Sequence, residues 1–445
     1  MTEAPEPSIP GASVAPRSFY HGYVMLPIAM IIAICTMPGQ SVLVALFNEP
    51  IREALGIKLA TLSLCYTIGT IAAAFPLVYV GRLADRFGLR VVVGTIALLF
   101  AGGLWILSLA QNPIGLTIGF FLIRMLGQGA LGMLTGHILA MWFERKLGTM
   151  DAVKSVGFAI GAAVLPAPTA WLITEVGWRD ALPILGAGML LVVLPLVLTI
   201  FRNKPEDIGQ HLDGDPVEHA THDVLHGGAP PPGDPAFTLR QALTTRAFWI
   251  LVGAMVGNGL IGTAVIFQIQ PILASAGADP LNAPKAMAPW PIASAITVLL
   301  GGWLADRVHA ARLLWIGPAG CGLASLIWYA AVSNAVALPP VTTVGIGMAV
   351  LGVSMGSVMG VGQPTLARYF GRTHHGSIRG FYGMLMVAGT GVGPTLAGMA
   401  YEFAGQTFGP ILIAFAIACV PMALFTLTLR RPERPTAQGE GLDCG

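Results

Sequence analysis

Gly81-Arg82-Leu83-Ala84-Asp85-Arg86-Phe87-Gly88-Leu89-Arg90 is a short charged stretch between two long apolar runs. A second copy, Gly302-Trp303-Leu304-Ala305-Asp306-Arg307, follows 221 residues later. We interpret both copies as loops that join helices. In such a loop, Gly81 lets two helix ends approach closely, Asp85 caps the start of the next helix, and the arginines stay in water. The repeat indicates a chain built of two related halves.

The composition is that of a membrane protein. Of the 445 residues, 55% are hydrophobic and 10% are charged, whereas soluble domains carry about 25% charged residues. The 24 Lys and Arg nearly balance the 22 Asp and Glu, which argues against a nucleic-acid partner. No metal cluster or nucleophile–base pair stands out in the sequence, so we predict no metal, no other cofactor and no enzymatic activity.

Twelve stretches are long enough to cross a bilayer, which takes about 20 mostly apolar residues. In chain order, α1 to α12, they are 23–47, 61–81, 91–110, 114–141, 153–174, 180–201, 247–270, 287–305, 312–333, 340–366, 378–403 and 407–429. The sequence therefore predicts an all-α membrane protein with twelve transmembrane helices in two pseudo-symmetric six-helix bundles. The predicted divisions are a disordered tail at 1–22, bundles at 23–202 and 246–430, a linker with a short amphipathic helix at 203–245, and a tail at 431–445.

The positive charges predict the orientation. Of the 24 Lys and Arg, 19 fall on the side that holds both termini, and Arg124 lies within a span. The remaining four, Arg52, Lys58, Arg179 and Lys285, fall on the opposite side. Because cytoplasmic loops are rich in Lys and Arg, both termini are predicted to be cytoplasmic, in the inner (plasma) membrane. We call this side the inner side and the opposite one the outer side.

The pattern G-x-L-A-D-R-x-G-x-R at 81–90 resembles the loop between the second and third helices of major facilitator superfamily transporters. The stretch Lys204-Pro205-Glu206-Asp207-Ile208-Gly209 and residues 237–243 resemble segments of the bacterial monocarboxylate and oxalate–formate branch of that superfamily. The resemblance implies two parallel six-helix halves with a substrate site between them. We expect the two charged stretches to form a gate on the inner side through Gly81, Asp85, Arg86, Arg90, Gly302, Asp306 and Arg307.

Arg124 is the only charged residue deep inside a predicted span, α4. Burying it costs about 2.5–3.5 kcal/mol on insertion scales, so it needs a partner or a watery cavity. The pattern Arg124-Met125-Leu126-Gly127-Gln128-Gly129 resembles the R-x-x-x-G segment of the superfamily's fourth helix, which borders the central cavity. Two interpretations are open: the guanidinium captures an anionic substrate through its planar donor fork, or it bonds helix carbonyls as a structural support.

Helices α1 and α7 are interrupted at corresponding positions, by Pro38-Gly39-Gln40-Ser41 and by Gly257-Asn258-Gly259. Paired interruptions are the best sequence indication of a transporter's binding site, although kinks for packing are the alternative. Two further polar residues, Gln363 in α10 and Tyr382 in α11, are equally consistent with plain interhelical hydrogen bonds. The predicted substrate-binding set is Arg124, Gln40, Ser41, Asn258, Gln128, Gln363 and Tyr382.

These features predict a monomeric transporter of a small organic anion, a mono- or dicarboxylate, that works by alternating access. No Asp or Glu lies at the centre of a span, so coupling to a proton, exchange for a counter-anion and absence of coupling all stay open. Val298 stands where mammalian-type monocarboxylate transporters have an arginine, and Ala162 follows Gly161 where drug exporters have a proline. The alternatives are efflux of a neutral or amphipathic compound and a non-transporting membrane sensor.

Overall fold

The computed structural model describes residues 19–144, 146–214, 237–305, 307–308, 311–371 and 375–432. Within these ranges the chain forms helices and turns, with no strand. Six helical rods precede the linker and six follow it, which confirms the predicted all-α architecture. Eight helical stretches are long and apolar enough to cross a membrane, and Leu59–Ala74 and Ile316–Val332 are shorter apolar helices.

Most rods of the first half are interrupted by a turn or a break. The bounds are α1, Gly22–Cys35, Met37–Gly39 and Ser41–Leu55; α2, Leu59–Ala74 and Leu77–Phe87; α3, Leu89–Ser108; α4, Pro113–Ile123, Arg124–Leu131 and Gly132–Trp142. Rods α5 and α6 together cover the two helical stretches Leu147–Val164 and Pro166–Thr199. The second of these stretches breaks at Gly177, which has a φ of 79° and separates α5 from α6.

The second half repeats this plan. Its bounds are α7, Arg246–Phe267 and Ile269–Ser275; α8, Ala283–Met287 and Pro289–Ala305; α9, Ala311–Leu314 and Ile316–Val332; α10, Pro340–Ser357, Val358–Gly362 and Gln363–Phe370; α11, His375–Phe403; α12, Gly409–Leu427. The fourth rod of each half contains a π-helical segment, at Arg124–Leu131 and Val358–Gly362. The halves pack through α2 against α11 and through α5 against α8, while α1 touches α7.

The charged stretch at 81–90 is mostly helical, so the prediction of a loop is wrong. Helix Leu77–Phe87 contains most of it, and α3 starts at Leu89. The chain turns at Gly88 alone, where φ is 81° and ψ is 146°, a conformation that suits a residue without a Cβ. The second copy likewise continues helix Pro289–Ala305, and its Asp306 lies outside the described residues.

The start of α3 is capped from the end of α6. The backbone N–H of Arg90 donates to Asn203 Oδ1 at 2.8 Å. In return, Arg90 Nε donates to the carbonyl of Val197 at 2.8 Å, and Nη2 donates to the carbonyl of Leu198. Each helix end thereby satisfies unpaired backbone groups of the other.

The described chain starts at Phe19, within the segment that was predicted as the N-terminal tail. Tyr20 is buried, donates its hydroxyl to the carbonyl of Trp142 and packs edge-on against Phe143 at 5.8 Å between ring centroids. The N–H of His21 donates to Gln210 Oε1 at 2.9 Å. Burial, and then the carboxylate of Asp213, raise the pKa of Tyr20 well above its ordinary value, so the phenol stays a donor.

The two ends of the linker are fixed to different halves. At its start, Asp213 Oδ2 accepts from the N–H of Glu144 at 3.2 Å, at the inner end of α4. At its end, Phe237 donates its N–H to the carbonyl of Phe370 at 3.2 Å, and their rings pack edge-on at 5.4 Å, at the inner end of α10. The short helix Leu239–Thr244 follows with a capping box formed by Thr238 and Gln241.

Candidate functional site

The interruption of α1 frees a backbone carbonyl at its middle. Pro38 has no N–H, and residues Met37–Gly39 form one tight turn before Gln40 takes an extended conformation with ψ of 148°. The next helical ladder begins at the carbonyl of Gln40, which accepts from Val44, so the carbonyl of Gly39 stays outside it. Gly39 lies against α4: a Cβ there would come within 2.5 Å of the carbonyl oxygen of Ile123.

Arg124 binds this free carbonyl. Its side chain is only 3% exposed. Nη1 donates to the carbonyl of Gly39 at 3.2 Å and to Ser41 Oγ at 3.3 Å, and Nε donates to Thr70 Oγ1 at 3.2 Å. Three of its five N–H groups are therefore engaged by α1 and α2, as the structural interpretation of this residue requires.

The other edge of the guanidinium is open. The Nη2 atom carries two N–H groups, and no acceptor for them occurs among the described residues. Some described side-chain atoms are both unpaired and sealed from solvent, and Nη2 is not one of them. Because it is unpaired, Nη2 is therefore not sealed from solvent. No described Asp or Glu forms an ion pair with Arg124. Arg124 thus combines a structural role at one edge with a free, uncompensated donor edge at the other.

Tyr66 lies over the guanidinium and is fully buried. The Arg124 Cζ atom is 5.0 Å from the centre of its ring, within the range of a cation–π contact. The hydroxyl oxygen of Tyr66 is 2.7 Å from Ser41 Oγ, which also binds Arg124. The ring packs against Phe120 at 5.5 Å and against Phe267 of the other half at 4.3 Å between centroids.

The outer ends of the two halves are joined by neutral hydrogen bonds. The six that occur among the described residues are Asn48 Nδ2 to Phe267 O (2.6 Å), Glu49 N to Gln270 Oε1 (3.3 Å), Gln270 Nε2 to Leu46 O (3.3 Å), Gln268 Nε2 to Ser63 Oγ (3.0 Å), Thr67 Oγ1 with Thr395 Oγ1 (2.6 Å), and Thr67 Oγ1 to Gly391 O. We call this set the outer seal. All of its members lie in the outer halves of α1, α2, α7 and α11.

One bond of the outer seal reveals the internal symmetry. Glu49 and Gln270, which are bonded, are 221 residues apart, the same offset that separates the two charged stretches. Equivalent positions meet in this way when a two-fold axis passes between them. An outer cavity of about 330 Å³ lies beside this contact, walled by Glu49, Arg52, Leu59, Gln270, Pro271, Ala274, Ser275, Pro280, Tyr401, Glu402 and Gln406.

The sequence profile of the Major Facilitator Superfamily matches residues 29–351. The chain belongs to the Major Facilitator Superfamily. It is accordingly a membrane transporter of this type, which confirms the broader part of the predicted resemblance. The architecture of the superfamily is present in this chain as twelve rods, divided six and six, with a repeat that relates α1 to α7.

Individual members of the superfamily resemble the chain at low identity. It is 22% identical to the MFS-type transporter YhjX of Escherichia coli (strain K12) over 64% of this chain and 67% of YhjX. It is 24% identical to a gallate transporter of Pseudomonas putida over 68% of this chain and 70% of that protein. The match to a 38 kDa protein of Thermoproteus tenax is 32% identical over 34% of this chain and spans only 39% of that relative.

Solved structures of superfamily members share the fold. A bacterial homologue of the human lysosomal transporter Spinster superimposes with a TM-score of 0.67 at 16% identity, over 93% of this chain and 95% of that one. The nucleoside transporter NupG superimposes with a TM-score of 0.66 at 14% identity, over 91% of this chain and 99% of NupG. At this identity the likeness is one of fold.

The structure brings four of the predicted substrate-binding residues together. Arg124 and Ser41 are hydrogen-bonded, and Gln40 lies beside them in the interruption of α1 with its Nε2 donating to Thr36 Oγ1 at 3.2 Å. Gln128 follows Arg124 in the π-helical segment of α4. Its Oε1 atom is sealed from solvent and has no partner among the described residues. Gln128 Oε1 can accept a hydrogen bond, and it lies in the same helical segment as Arg124, whose Nη2 donors are free.

Of the other three predicted substrate-binding residues, two pack within the second half. Asn258 is 1% exposed and donates to Ser354 Oγ at 2.8 Å, between α7 and α10. Tyr382 is buried in the cluster of apolar side chains at the inner ends of the second half, which includes Phe248 and Phe370. Gln363 begins the last helical stretch of α10, and its side chain lies outside the described part of the chain.

Among the described residues, Gly81, Arg86, Arg90 and Arg307 form no hydrogen bond, ion pair or cation–π contact with the other half. A Cβ on Gly81 would meet no described atom within 4 Å. Arg86 is exposed beside Phe87, Arg90 is occupied by α6, and Arg307 lies over Trp303. The structure does not describe the side chains of Asp85 and Asp306 or the surroundings of Gly302.

Sequence reasoning missed the residues of α2 and α7 that enclose the arginine. Tyr66 and Thr70 both contact Arg124, and Phe267 packs on Tyr66. A signal was present: Ser63, Tyr66, Thr67 and Thr70 form a polar stripe with helical spacing inside an apolar span. The aromatic ring of Tyr66 by itself is indistinguishable from a core residue in the sequence.

Asn258→Ala is expected to lower thermal stability and to leave substrate affinity within about twofold. Its bond to Ser354 holds α7 to α10, and losing such a bond costs about 0.5–1.5 kcal/mol. Gln40→Ala, at the interruption next to Gly39 and Ser41, is the matched variant and is expected to weaken affinity at normal abundance. Thermal unfolding in detergent and substrate binding measure the two effects. If Asn258→Ala loses substrate affinity at unchanged stability, Asn258 is a substrate-binding residue and this prediction is wrong.

Proposed function

We propose that the protein transports a small organic anion whose carboxylate binds the free Nη2 edge of Arg124. The observation that carries the proposal is a buried guanidinium with no carboxylate partner among the described residues. A buried charge is costly unless it is paired, and a carboxylate from the substrate supplies the missing partner. Arginine suits this role because its planar donors match a carboxylate.

The charge of the site favours a monocarboxylate over a dicarboxylate. Arg124 supplies one positive charge, and no other Lys or Arg among the described residues is buried. A second carboxylate in the same enclosed site would lack a cation, and leaving an ion buried without a partner costs several kcal/mol.

Two further observations agree with this substrate class. The resemblance of 204–209 and 237–243 to the monocarboxylate and oxalate–formate branch points to small carboxylates. One relative at 24% identity is named a gallate transporter, and gallate is itself a carboxylate. We also propose that the protein lies in the inner membrane with both termini cytoplasmic, following the distribution of its Lys and Arg.

The outer seal gives the conformational state of the proposed cycle. All six hydrogen bonds between the halves that the described residues form belong to that seal. The protein is therefore closed at its outer end, and we assign it to the state that opens to the cytoplasm. We propose that the gate formed by Gly81, Asp85, Arg86, Arg90, Gly302, Asp306 and Arg307 assembles in the opposite state, when the inner ends meet.

Asp85→Asn is expected to raise the accessibility of the cavity from the cytoplasmic side. In the closed gate its carboxylate can meet a helix N-terminus and nearby arginines. Each such contact is worth under about 1 kcal/mol at an exposed site and more in a network. Labelling of single cysteines along the inner half of α4 measures the effect. Asp207→Asn, which removes another exposed inner carboxylate, is the control, and equal labelling in both variants would contradict the gate.

Flux into proteoliposomes tests the proposed function. Purified protein is reconstituted with and without a pH gradient and offered labelled lactate, benzoate, succinate and a neutral aromatic amide. Uptake of a monocarboxylate that exceeds uptake of succinate supports the proposal. Transport of the neutral compound alone would establish the efflux alternative, and absence of any flux with retained ligand binding would support a membrane sensor. The dependence on the pH gradient identifies proton coupling.

A further inference from the structure

We propose that Tyr66 couples occupancy of the anion site to the outer seal, an inference that rests on the proposed function. Tyr66 touches both parts of the molecule. Its ring lies over Arg124 of the first half and packs against Phe267 of the second half. The carbonyl of the same Phe267 accepts the bond from Asn48 that belongs to the outer seal. A movement of the Tyr66 ring therefore reaches the seal through a single residue.

The geometry of α2 strengthens this link. Tyr66 and Thr70, four residues apart, share one helix face and both contact Arg124. Ser63 and Thr67, also four residues apart, form the adjacent face and bond to Gln268 and to α11 in the outer seal. About two turns of one helix thus carry the contacts to the arginine and the contacts to the other half. Rotation of this segment would alter both sets together.

The physical basis of the coupling is competition for the positive charge of Arg124. Among the described residues no carboxylate pairs with the guanidinium, and the electron-rich face of Tyr66 is its partner. A cation–π contact is electrostatic, so an anion bound at Nη2 neutralises the charge and weakens it. The ring is then held less firmly against Phe267, and the closed outer end loses stability relative to the open one. A ligand shifts a conformational equilibrium only through such a difference in interactions between the two states.

Two substitutions separate the ring from its hydroxyl. Tyr66→Phe keeps the ring, and with it both the cation–π contact and the packing on Phe267, but loses the bond to Ser41. Tyr66→Leu removes the ring. A third substitution, Phe267→Leu, removes the far side of the contact without touching Arg124. If Tyr66→Leu is unstable, Phe267→Leu keeps the proposal testable.

The experiment measures how substrate changes the accessibility of the outer cavity. A cysteine at Ala274, which lines that cavity and takes no part in the seal, is labelled from outside with an impermeant maleimide in intact cells. The probe is whichever of lactate and benzoate the wild-type protein transports better. We expect it to change the labelling rate at least threefold in the wild type and in Tyr66→Phe. We expect less than a 1.5-fold change in Tyr66→Leu and in Phe267→Leu.

Binding of the same probe distinguishes this proposal from the proposed function. Phe267→Leu should bind it within about twofold of the wild type, because Arg124 and its free edge are unchanged. If the wild type binds no carboxylate, the proposed function fails. If carboxylate binds and the labelling of both leucine variants still responds as in the wild type, the coupling by Tyr66 is refuted. Loss of the response in Tyr66→Phe would transfer the role from the ring to the hydroxyl and would also overturn the proposal.

Discussion

Replacing Arg124 by lysine is expected to lower carboxylate transport ten- to hundredfold while the protein still folds and reaches the membrane. A lysine keeps the charge but offers a single ammonium group in place of a planar fork. It therefore cannot both support α1 and α2, as Arg124 does, and hold a substrate with the opposite edge, as we propose for Arg124. The expected loss corresponds to a charged hydrogen bond, about 1.5–3 kcal/mol.

Arg124→Ala is expected to abolish transport and to lower stability as well. It leaves the buried carbonyl of Gly39 without its donor, and such an orphaned group costs about 1–3 kcal/mol. Thr70→Val is the matched control, because it removes the acceptor of Nε and keeps the charge and the free edge. Flux of the labelled carboxylate and thermal unfolding measure the two effects. Normal carboxylate transport by Arg124→Ala, or equal losses in Thr70→Val and Arg124→Lys, would remove the anion-binding role.

Gly39→Ala is expected to be nearly as damaging, although it changes a single hydrogen into a methyl group. The new Cβ would lie 2.5 Å from the carbonyl oxygen of Ile123 and 3.1 Å from the backbone nitrogen of Gln128. Both contacts are with backbone, so α1 must move away from α4 and carry the carbonyl that binds Arg124 with it. Overpacking of this kind costs about 1–3 kcal/mol, and carboxylate binding should fall at least tenfold.

Gly102→Ala serves as the control for this substitution. Gly102 lies in α3, and a Cβ there would meet no described atom within 4 Å. Its stability and transport should match the wild type or improve, because alanine favours a helix. Thermal unfolding and carboxylate binding are measured on both purified variants. Wild-type behaviour of Gly39→Ala would show that α1 and α4 are not in direct contact at this point.

Most of the architecture could be predicted because it depends on long-range averages of the sequence. The length of an apolar run determines a membrane span, and the offset of 221 reappears as the contact between Glu49 and Gln270. Arg124 was recognisable because a charge inside an apolar span requires a structural explanation. The interruption at Pro38-Gly39 was recognisable for the same reason, since it leaves backbone groups unsatisfied at membrane depth.

The remaining features depend on contacts that the sequence does not encode locally. Four charged residues and two glycines suggested a loop at 81–90, but Gly88 alone can turn the chain, so the helices continue almost to it. A cap at the start of α3 comes from Asn203, more than 100 residues away along the chain. Asn258 seemed to belong to the site because Gly257-Asn258-Gly259 was predicted to interrupt α7. That prediction is wrong, since helix Arg246–Phe267 runs through these residues without a break, and Ser354 in α10 draws Asn258 into the packing of the second half.

The attachment of each linker end to its own half has a consequence for the covalent chain. Asp213 is bound to the end of α4 and Phe237 to the end of α10, so the contacts that finish each bundle are complete on either side of residues 215–236. We therefore expect both bundles to keep their folds when the peptide is cut by a protease between these two contacts.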